Sequence, residues 1–135
     1  MTLSPAQAVE LSAQQVDVVA PVIFMLRPPA KATGSRMAII NHLDKPLQIL
    51  SVSCEAFSQV MFHSVHFRQG QQVMEPVKQL QVSAHGRLVL TPNTTHLMFM
   101  APKRALSKGE YLQLILHTSA GDIKTIAQIV PFHLK

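Results

Sequence analysis

The sequence predicts an all-β domain, a sandwich or barrel of antiparallel strands. Short apolar runs rich in β-branched residues recur along the chain, and Gly, Pro, Asn or Asp separate them. No helical period persists after residue 15.

The chain begins differently from the way it continues. Ser4, then Pro5, then Gln7 reads as a capping box with proline at the first helical position, which predicts a short helix over 5–14. Residues 1–15 therefore form an N-terminal extension, and 16–135 a single β-sandwich domain. Strands are expected at 16–19, 22–26, 36–41, 47–53, 60–67, 72–77, 87–91, 97–100, 111–118 and 124–131. Turn chemistry falls at 41–46, 68–71, 91–95 and 107–110, and the proline-rich stretch 28–35 reads as a long surface loop.

Composition narrows the function. With 47% hydrophobic and 14% charged residues, the 135-residue chain can bury a core without staples. No apolar run reaches the roughly 18 residues of a membrane helix, so the chain is not expected to span a membrane. Its basic residues are scattered, aromatics make up 5% and Trp is absent. That combination offers neither a basic stripe nor a base-stacking platform, so no nucleic-acid partner is expected. A formal charge of +5 suits an acidic protein surface or an anionic membrane better. The start lacks a secretory signal, which leaves a cytoplasmic protein or a mature form whose leader has been removed.

The single cysteine, Cys54, rules out an intramolecular disulfide and two-cysteine redox exchange. It also precedes His63, so a blue-copper loop of Cys, His and Met is not expected. Cys54 reads as a small buried hydrophobe. No nucleophile–base pair, phosphate loop or carboxylate dyad stands out, and no enzyme is expected.

The chemistry lies in His63, Met74, His96 and Met98. Ten residues separate His63 from Met74, twenty-one separate Met74 from His96, and one separates His96 from Met98. Alternation along a strand puts His96, Met98 and Met100 on one face, and likewise Met61 and His63, with His66 opposite. The 69–71 turn returns Met74 alongside the His63 strand. Two imidazoles and two thioethers suit Cu(I), since soft sulfur selects cuprous copper while zinc takes thiolate or carboxylate and calcium takes oxygen. Thioethers also survive an oxidising compartment that would take thiolates into disulfides. Met is more often a packing residue, and any one of these residues alone is a weak signal. Met61 and Met100 are the nearest candidates for auxiliary donors, but core or rim packing is the expected role of both, whereas His42, His85, His117 and His133 read as solvated.

The pattern His-x10-Met-x21-His-x-Met resembles that of the PCuAC family of periplasmic copper(I) chaperones, with no insertion or deletion. The flanks 35–41, 92–100 and 106–110 are similar as well, and the resemblance runs from about Asp17 to Pro131. It implies a cupredoxin-like Greek-key β-sandwich and an exposed Cu(I) site made by His63, Met74, His96 and Met98. It also implies a periplasmic location and delivery of copper to cytochrome c oxidase, at its binuclear copper centre, or to another copper-assembly protein. This chain departs from the family in carrying Ser64 after His63, in lacking a Trp near the first strands, and in ending without a His- and Met-rich tail. A β-sandwich interaction module, or a copper-storage or tolerance protein without a delivery role, is the competing expectation.

Overall fold

A computed structural model describes residues 4, 5, 12–27 and 29–131. Most of the helix expected over 5–14 lies outside the described residues, as does His133. The described residues form strands β1 (Val16–Phe24), β2 (Ala32–Thr33), β3 (Ser35–Asn41), β4 (Leu47–Cys54), β5 (Phe57–Arg68) and β6 (Gln71–Val77). They continue as β7 (Leu80–Val82), β8 (Arg87–Leu90), β9 (His96–Pro102), β10 (Tyr111–Thr118) and β11 (Gly121–Val130). No helix among them is long and apolar enough to cross a membrane.

Two sheets stack. One runs β7-β4-β10-β11-β1-β3-β8 and the other β2-β9-β5-β6. Among the described residues every pairing is antiparallel except β1 with β11. The all-β expectation is met, with corrections in detail. The runs expected at 16–19 and 22–26 are one strand, interrupted by a register shift between Val19 and Val22. Ala20 there takes a left-handed φ of 48°, and Pro21 has no N–H to offer the ladder. The loop expected at 28–35 contains β2, and β7 went unforeseen; both are too short to show a period.

Alternation explains the core. β3 turns Met37 and Ile39 inward, and β10 does the same with Leu112, Leu114 and Leu116, all buried. From the smaller sheet, Phe62, Leu97 and Phe99 close the other side, and Phe99 tilts against Phe57 with ring centroids 5.3 Å apart. Asn41 is buried yet satisfied: its amide donates to the carbonyls of Lys45, Val82 and Ser83, and its Oδ1 accepts from Leu43 N–H. That one side chain ties the 41–46 turn to β7.

Candidate metal centre

The centre is built on β5, which runs between β9 and the edge strand β6. The β5–β6 hairpin closes through Gln69 (φ 52°) and Gly70 (φ 78°), between the paired residues Arg68 and Gln71. Two consecutive left-handed residues make the tight hairpin turn whose twist matches the strands. Register then follows. His63 lies directly opposite His96 on β9, Met61 opposite Met98, and Met74 of β6 opposite Val65. Directly opposed residues share a face, as do residues two apart, so His63, Met74, His96 and Met98 all project to the side away from Phe62.

The imidazoles meet edge to face, with ring centroids 5.5 Å apart and planes at 81°. His96 is only 1% exposed. Its Nδ1 lies 2.7 Å from the Thr94 carbonyl, which can only accept, so Nδ1 carries the proton and Nε2 keeps a free lone pair. Thr94 is itself held in the 91–95 turn, its Oγ1 2.8 Å from that of Thr91. His63 is half-buried, and its Nδ1 is buried without a hydrogen-bond partner among the described residues. A buried ring nitrogen without a partner, on an imidazole 5.5 Å from a second one, is a donor left available to a ligand. Burial, and then the neighbouring His96, hold the His63 pKa below its ordinary value. The ring therefore stays neutral further into acid, and the neutral ring is the form that binds a metal.

The thioethers differ in depth. Met98 is half-buried, whereas Met74 is 52% exposed and lies diagonal to His63, not opposite it. The four side chains therefore differ in exposure, from buried His96 to open Met74. The structure brings both histidines and Met98 together on adjacent strands and sets Met74 on the third. Position alone flagged Met61 as auxiliary, and it turns out to face Met98. The Thr94 anchor was missed, although a hydroxyl-rich turn just before a candidate histidine was the available signal.

Other candidates fall away from this face. Cys54 is buried on the larger sheet, and burial pushes its thiol pKa up. His66 points to the opposite face of β5, within 2.9 Å of Ser64 Oγ. His42 pairs with Asp17, and His117, partly exposed, bridges Ser53 and Asp122. Among the described residues no cluster of three or more His, Cys, Asp or Glu could hold a metal. The chemistry on offer is imidazole and thioether.

A family profile described as lipoprotein LpqE-like matches residues 5–130. The chain belongs to the LpqE-like family. Solved structures similar to this LpqE-like chain include a copper-bound PCuAC domain from PmoF2, at 15% identity and a TM-score of 0.74, covering 87% of this chain and 94% of that one. Cu(I)-DR1885 from Deinococcus radiodurans aligns at 23% identity and a TM-score of 0.71, covering 95% and 94%. The apo PCuAC domain from PmoF1 aligns at 18% identity and 0.74, covering 87% and 95%. These likenesses establish the fold as the cupredoxin-like sandwich of PCuAC domains, the family that the sequence resembles. No curated protein matches the chain.

Proposed function

We propose that this protein is a copper chaperone that binds one Cu(I) ion through His63, Met74, His96 and Met98 and hands it to a copper-assembly partner. The observation that carries the reading is the pair of edge-on imidazoles, one with its tautomer fixed and one with an orphaned nitrogen, on the same sheet face as both thioethers. The similar PCuAC domain from PmoF2 is copper-bound and DR1885 holds Cu(I), which supports the same cargo here. We read 16–135 as the copper domain and 1–15 as its extension.

The gradient in exposure suits delivery. His96 anchors the ion from within, while Met74 meets solvent where an acceptor ligand can compete with it. Phe67, 75% exposed, shares the face with Met74 and extends an apolar lip along the hairpin. Neutral thioethers are weak bases, so each can be displaced in turn while the ion stays coordinated. The acceptor we favour is the binuclear copper centre of cytochrome oxidase. The lipoprotein family points to a site of action outside the cytoplasm, and we place it in the periplasm.

An enzyme reading finds less support. Ser53, His117 and Asp122 do line up by hydrogen bonds across β4, β10 and β11. Strands inside a sheet spend their N–H groups on neighbouring strands, however, and a hydrolase needs such donors gathered around an oxyanion.

Anaerobic titration tests the proposal. One tight equivalent of Cu(I) is expected, with Zn(II) bound much more weakly. A preference for zinc, or no tight Cu(I), contradicts it.

A further inference from the structure

The pairing of β5 with β9 gathers one more soft donor than the four-residue pattern requires. Met61 stands directly opposite Met98, next to the pair of His63 and His96. Directly opposed side chains start about 4.5–5.5 Å apart at Cβ, so these residues form a compact two-by-two block on one face. Three of the four are half-buried and His96 is buried. Met74 stands outside the block, diagonal to His63 at the roughly 7–8 Å typical of such neighbours. A methionine with three rotatable bonds can span that gap, but it is the donor most easily withdrawn.

Methionine is usually a packing residue, and that reading is the one to beat. Here the packing on β5 is done from other positions. Phe62 belongs to the buried core cluster and Val60 packs against it, whereas Met61 and Met98 do neither. Both lie on the same sheet face as the imidazoles instead. Met100, opposite Gln59, sits one step further away and serves as an internal control.

We propose that Met61 is a further Cu(I) donor, one that keeps the ion held with His63, His96 and Met98 when Met74 is drawn off by an acceptor. The proposal rests on the copper-carrier reading and deepens it. It gives the site two thioether arrangements, one including the exposed Met74 and one confined to the block. Release of the outer thioether then does not free the ion into solvent.

The test uses Met61→Leu, Met74→Leu and the double variant, since leucine keeps the volume and removes the sulfur. Cu(I) affinity is read by anaerobic competition with a chromogenic chelator, and methionine methyl signals are followed by NMR. Each single change is expected to cost little, because the other thioether substitutes. The double variant should lose about 5–100-fold more than the product of the single losses, the scale of coupling between groups that share a partner. In Cu(I)-loaded Met74→Leu protein the Met61 methyl should shift while that of Met100 stays put. Losses that simply multiply, with an unmoved Met61 methyl, overturn the proposal. If the unmodified protein takes up no Cu(I), the carrier reading fails before this question arises, so the two failures are distinguishable.

Discussion

Changing both Met74 and Met98 to alanine is expected to weaken Cu(I) binding by more than about 100-fold, beyond the roughly 10–100-fold that loss of a hydrogen-bonded partner behind a metal ligand costs. Both thioethers lie on the face of β5, β6 and β9 away from the core, and Met74 is already 52% exposed, so the fold should survive. What remains is two imidazoles with a single nearby thioether, a set poorer in the soft donors that select cuprous over divalent ions. Weak Zn(II) binding, which draws on His63 and His96, should hardly change. Competition titrations of both metals on native and double-variant protein give the comparison. Equal Cu(I) affinity in the two would show that the sulfurs are only packing.

The largest effect on stability is expected from Phe99→Ala. Phe99 is fully buried, packs tilted against Phe57 and occupies the inward face of the strand that presents His96 and Met98 on its other face. Removing a ring from such a site costs about 3–5 kcal/mol through lost transfer energy and the cavity left behind. For a domain of this size that is a drop on the order of 10 °C in the melting temperature of the apo protein. Bound copper should recover part of it, because a ligand specific for the folded state stabilises by mass action. Thermal unfolding with and without Cu(I) measures both. A loss below about 1 kcal/mol, ordinary for a surface change, would mean that the two sheets do not pack through this ring.

Much of this was legible because strands alternate. His96 and Met98 share a face on spacing alone, the 69–71 turn announces the hairpin, and β3 and β10 show their inward residues plainly. Register is harder. That Met74 faces Val65 and not His63 depends on the hairpin closing through only Gln69 and Gly70, which fixes every pair behind it. The continuity of β1 was hidden because Ala20 and Pro21 break the pattern without ending the strand. Depth was not legible at all. His96 is buried and Met74 exposed because of what neighbouring strands and the 91–95 turn place around them, and no local spacing carries that information. The same limit hid that Met61 stands opposite Met98.

X-ray absorption at the copper edge of the anaerobically loaded protein tests the central claim most directly. We expect a cuprous edge with imidazole nitrogen and thioether sulfur both bonded to the metal. A shell of nitrogen and oxygen alone, with no sulfur at bonding distance, would contradict it.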